Sequence, residues 1–108
     1  MKSFSGLNGI LYLYDDSVLI IRDNSLGKLF HNKNKQIMIP YKQIRAVEFS
    51  PGALVNGYIS IVDMDHYAPK NIFSAIKDDS TVIFRFFKNR EAEEIKLEIE
   101  RILLENEH

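Results

Sequence analysis

The sequence predicts a mainly β domain of the α+β class: a small barrel of six to seven antiparallel strands capped by one C-terminal amphipathic helix. Three observations carry this prediction. Short runs rich in β-branched and aromatic residues recur between residues 9 and 87. Turn-forming clusters separate them at hairpin spacing, with no βαβ alternation. From about residue 89 the apolar period changes from two to about 3.6 residues. A chain of 108 residues, 45% hydrophobic and 27% charged, suits one domain, 1–108, with one buried core.

Each element follows from its own residues. GILYLY (9–14) and VLIIR (18–22) flank Asp15-Asp16-Ser17 and read as a hairpin. In the first run Ile10, Tyr12 and Tyr14 share one face, and Leu11 and Leu13 the other. Such a strand is either covered on both sides or offers one face to a partner. Residues 23–35 read as a polar loop with room for a brief strand at 28–31. QIMI (36–39) is a short strand ended by Pro40. IRAVEF (44–49) alternates, with Ile44, Ala46 and Glu48 on one face and Arg45, Val47 and Phe49 on the other. Pro51-Gly52 and Asn56-Gly57 then turn the chain into GYISIV (57–62).

Residues 63–80 are the longest irregular stretch, in which Ile72, Phe73, Ala75 and Ile76 could pack as a helical turn. TVIFRFF (81–87) is the strongest strand signal, with Val82, Phe84 and Phe86 on one face. Asn89 is placed to cap a helix over about 89–105, with Glu91, Glu93 and Glu94 near its positive end. Ala92, Ile95, Ile99, Ile102 and Leu103 form its apolar stripe.

Composition excludes several function classes. A net charge of −1 gives no global attraction to nucleic acid or to an anionic membrane. The charge is uneven, because residues 88–108 hold four Lys/Arg against seven Glu. Cysteine is absent, which removes disulfides, thiolate nucleophiles and cysteine zinc sites, and fits a cytoplasmic protein. MKSFSGLNGILYLYDDS lacks the unbroken apolar core of a signal peptide, and no window suits a membrane-spanning helix.

The run Ile37-Met38-Ile39-Pro40, then Ile44, Val47 and Phe49, Pro51-Gly52 and Asn56-Gly57-Tyr58-Ile59, resembles bacterial pleckstrin-homology-like (PH-like) domains, in an uncharacterised branch. TVIFRFFKNREAEEIKLEIE fits the same pattern of strand, Lys-Asn boundary and capping helix. The resemblance implies two roughly orthogonal antiparallel sheets plugged at one corner by the helix. Some such relatives carry a further helical segment for oligomerisation or membrane association, and this chain is expected to lack it. Eukaryotic relatives that bind inositol phosphates use basic residues around the first hairpin loop. Here that loop is read as Asp15-Asp16-Ser17, whose carboxylates repel phosphate and disfavour membrane contact of that kind.

Candidate sites are few. Leu97 and Leu104 lie seven residues apart, opposite the Ile95/Ile99/Ile102 stripe, and could form a helix–helix seam. Tyr12, Tyr14 and Tyr58 are candidate interface anchors, since tyrosine joins a large apolar body to a polar tip. Lys28, Lys33 and Lys35, with His31, Lys42 and Arg45, are candidates for contact with an anion or lipid. Without arginine pairs or interleaved aromatics they are a poor nucleic-acid signal.

Asp63-Met64-Asp65-His66 begins like an oxygen-ligand loop, but Tyr67 and Pro69 break the calcium-loop spacing. There is no G-x-S-x-G elbow, and His31, His66 and His108 have no evident Ser-Asp partner in sequence. The expectation is therefore a non-enzymatic binding or assembly module without metal or cofactor. It would act on a protein partner or as a homo-oligomer. The alternatives are a lipid- or membrane-surface module and, with less support, a small inhibitor or regulator from a mobile element.

Overall fold

The computed structural model describes residues 2–22, 35–64 and 80–106. Its strands are β1 (Lys2–Ser5), β2 (Gly9–Leu13), β3 (Ser17–Arg22), β4 (Lys35–Pro40), β5 (Ile44–Ser50), β6 (Gly57–Asp63) and β7 (Thr81–Phe84). Short 3-10 turns occupy Tyr41–Gln43 and Phe86–Lys88, and one helix, α1, runs from Asn89 to Asn106. The strands form two antiparallel sheets, β1-β2-β3-β4 and β5-β6-β7. The predicted class and terminal helix hold, and seven strands lie among the described residues.

Period-two alternation builds the core. Across the first sheet the inward rows are Phe4–Leu11–Ile20–Ile37 and Leu13–Val18–Ile39. Val47, Ile59, Ile61, Val82 and Phe84 face them from the second sheet and are buried. Phe84 is the joint between sheets: Phe4 meets its ring edge-on at 5.5 Å, and Phe49 stacks on it at 5.9 Å. Ala92, Ile95 and Ile99 of α1 are buried in the same core, with Ile102 and Leu103 partly so.

Polar groups tie the sheets at one corner. The Leu7 amide donates to the Ile83 carbonyl at 2.7 Å, and the Ile83 amide donates to Asn8 Oδ1 at 2.9 Å. The β1–β2 turn thus occupies part of the outer edge of β7. Only glycine fits at residue 6, because a Cβ there would lie 2.3 Å from the Ile83 carbonyl oxygen. The buried Arg22 guanidinium donates to the Thr81 carbonyl at 3.0 Å, linking β3 to β7.

Five expectations need correction. A strand precedes residue 9: KSFS pairs with β2, and its one buried apolar residue, Phe4, gave little periodic signal. Asp15-Asp16 consequently sits on the second hairpin turn, not the first. A bulge between Ile44 and Ala46 shifts the β5 register, so Ile44 and Val47 both point inward although regular alternation separates them. The last strand stops at Phe84, so Phe86 leaves the face of Val82 and Phe84. Asn89 does not cap α1; it already has helical dihedrals, and its side chain is engaged elsewhere. The brief strand expected at 28–31 and the helical turn at 72–76 lie outside the described residues.

Candidate functional site

The sequence-derived candidates divide among separate surfaces. On α1, Leu97 and Leu104 are 55% and 63% exposed, one above the other on the side opposite Ala92, Ile95 and Ile99. Ion pairs border them: Arg90–Glu94 at 3.6 Å, Lys96–Glu100 at 3.8 Å and Arg101–Glu105 at 2.5 Å. The helix therefore presents a second apolar line among charges.

Tyr12 and Tyr14 adjoin, with ring centroids 6.5 Å apart, but Tyr58 belongs to the other sheet in the row Ser50–Tyr58–Ile83. Tyr12 lies in an outward row, Ser3–Tyr12–Leu19–Met38, where Met38 is well exposed. Among the described residues one face of β2 is buried and the other half-buried. Lys42 and Arg45 are exposed near the start of β5. Lys28, His31 and Lys33 lie outside the described residues, as does the Lys35 side chain, so the basic cluster as a whole has no described geometry.

A charged network fastens β1 to α1. Lys2 donates to Glu98 at 3.3 Å, and Arg101 bonds both Glu98 and Glu105. The Glu98 carboxyl is held down to about 2, first by the Arg101 hydrogen bond; burial opposes that, and Lys2 adds to the lowering. Close by, the Tyr41 hydroxyl donates to the Tyr14 carbonyl at 2.7 Å. Burial raises the pKa of that phenol most, followed by the carboxylates of Glu98, Asp15 and Asp16. Tyr14, Asp15, Glu98, Arg101 and Glu105 line a hollow of about 330 Å³ with Lys2, Leu13 and Ile102. Among the described residues, no group of three or more His, Asp or Glu is placed to hold a metal ion.

Sequence reasoning missed one apolar surface among the described residues. Phe86 and Phe87 are 65% and 64% exposed, with rings edge-to-face at 5.8 Å. Gly57 pairs with Phe84, so the β5–β6 loop reaches the same end of the molecule and displays Leu54 and Val55 there. Leu7 adds a third contribution from the β1–β2 turn, beside Phe84, Arg85, Phe87 and Lys88. Strand periodicity hid this end, because Phe86 and Phe87 continue the TVIFRFF pattern beyond the true strand.

The end is held rigidly. Asn89 Oδ1 accepts from the Gly52 amide at 2.7 Å, and its Nδ2 donates to the Gly52 carbonyl at 2.9 Å. A Cβ on Gly52 would lie 3.0 Å from the Phe86 backbone, which is how closely loop and turn approach. Lys88 Nζ donates to the Ser5 carbonyl at 2.9 Å and lies over the Phe4 ring.

Among the described residues, no helix is long and apolar enough to cross a membrane. No curated protein and no solved structure matches the chain. A family model does: it is described as a domain of unknown function, DUF4429, and matches residues 13–100, from the end of β2 well into α1. With most of its length matched, the chain belongs to the DUF4429 family.

Proposed function

We propose that this domain is a non-catalytic binding and assembly module that self-associates through the outer face of α1. The observation that carries the reading is the pair Leu97 and Leu104. They remain exposed on one line while the opposite face of the helix fills the core. A helix that needs one apolar face for its own fold and carries another is suited to a helix–helix contact. The PH-like reading belongs to the same proposal. What supports it is the division into a four-stranded and a three-stranded antiparallel sheet with a terminal helix in the core.

A partner protein or a second copy is the occupant this reading favours over nucleic acid. Cysteine-free composition supports a cytoplasmic setting, and the missing nucleophile motifs support a non-enzymatic role. The test is solution mass by light scattering across a concentration series. The expected result is an oligomer that Leu97→Glu with Leu104→Glu dissolves while the circular dichroism spectrum stays unchanged. A monomer throughout the series overturns the proposal.

A further inference from the structure

The end of the molecule opposite in character to α1 is built for a different partner. Its three converging stretches, SFSGLNG (3–9), SPGALVNG (50–57) and FRFFKNR (84–90), contain no Asp or Glu. The chain has 15 acidic residues, and none falls in these three stretches. Their charges are Arg85, Lys88 and Arg90, of which Arg90 also pairs with Glu94 of α1 at 3.6 Å. In the same place stand Phe86, Phe87, Val55 and the fully exposed Leu54. We infer that this apolar tip with its basic fringe is a second binding site, which docks on an anionic phospholipid surface.

The chemistry matches at each level. Leu54, Val55, Phe86 and Phe87 stand outward and would enter the headgroup and upper acyl region, where apolar and aromatic side chains leave water favourably. The surrounding arginines and lysine would lie at headgroup depth, where each basic residue gains from the negative surface potential. A carboxylate among the apolar side chains would oppose insertion, and the three stretches contain none; Glu91 and Glu94 follow them, in the first turns of α1. The Asn89–Gly52 clamp and the Lys88–Ser5 bond fix the tip before contact, so little ordering has to occur on binding. A protein partner would need a recess to receive a projecting tip; a lipid surface needs none.

Because the chain has no tryptophan, Leu54→Trp supplies a single fluorescent reporter at the tip. Full-length protein is mixed with vesicles of equal parts phosphatidylcholine and phosphatidylglycerol, and separately with phosphatidylcholine alone. The expected result is a blue shift and co-sedimentation with the anionic vesicles only, weakened by salt. In the Leu54→Trp protein, Phe87→Ser with Val55→Ser, and separately Arg85→Glu with Lys88→Glu, should each weaken binding by about tenfold or more. Lys42→Glu with Arg45→Glu should leave it within about twofold. Thermal melts confirm that each variant is folded, and the tip positions are exposed enough for several substitutions to be tried.

Absence of vesicle binding by the wild type overturns the inference. So does equal binding to neutral vesicles, or loss of binding only in the Lys42/Arg45 variant. A blue shift that grows with protein concentration alone overturns it too, because the tip would then be meeting protein. None of these outcomes depends on the oligomer test on α1.

Discussion

Glu98 shows how a single carboxylate can couple a strand to the helix that covers it. It accepts from Lys2 of β1 and from Arg101 one turn along α1, and the Arg101 bond keeps it ionised down to about pH 2. A carboxyl whose pKa is depressed on folding stabilises the fold above its unfolded pKa, and that contribution disappears as pH falls through the folded value. The relevant window runs from the usual 4.5 down to about 2. Glu98→Gln should therefore melt below wild type at neutral pH, and the gap should close across that window. Thermal melts of both proteins over this range test the point. A gap that persists at the acidic limit would mean that the charge of Glu98 contributes nothing and only its packing matters. Sequence periodicity placed Glu98 on the helix but gave no hint of Lys2, because the strand carrying Lys2 has only Phe4 as its core signal.

At the scale of elements, alternation made most strands legible and failed where the chain leaves regular geometry. VLIIR, QIMI and GYISIV carry enough apolar residues to declare themselves, and the α1 stripe is equally clear. The β5 bulge was invisible because nothing local in Ile44-Arg45-Ala46 announces an extra residue; only pairing with β6 forces it. The end of β7 was misread for a different reason. Burial favours the continuation Phe86-Phe87, yet the chain turns there and leaves both rings in water. That local cost is sustained by Asn89, whose amide pairs with both backbone groups of Gly52 like a one-residue strand. The clamp makes a clear prediction. Asn89→Asp keeps the acceptor but loses the donor to the Gly52 carbonyl, and Asn89→Ala loses both. Each should lower unfolding free energy by about 1–2 kcal/mol, with Asn89→Ala the more severe unless the carboxylate repels the Gly52 carbonyl. Urea midpoints at constant slope measure this. Wild-type midpoints in both variants would show that the loop and the turn hold their places without the clamp.

Across the whole molecule, two unlike surfaces share one rigid frame, and their placement has a consequence neither has alone. The tip is formed by strand ends and the turn into α1, whereas Leu97 and Leu104 lie further along the same helix. The tip offers four apolar side chains and a basic fringe, which suits weak and reversible contact with a lipid surface. Joining copies through α1 would bring several tips to one membrane, and linked weak contacts gain avidity by a factor of about 10² or more without any new interaction. Assembly should therefore strengthen vesicle binding. Leu97→Ser with Leu104→Ser is the right variant for this test, because introduced carboxylates would themselves repel anionic lipid. That variant keeps the tip intact, so it should still show a blue shift in a Leu54→Trp background at high lipid. Its half-saturation should move to at least about tenfold more lipid than the assembled protein needs. Equal half-saturation for the two proteins would mean that the tips act singly, either because assembly turns them away from a common plane or because one tip already binds strongly enough. The two causes separate on dilution: a protein whose single tip suffices keeps its lipid affinity below the concentration at which oligomers dissociate.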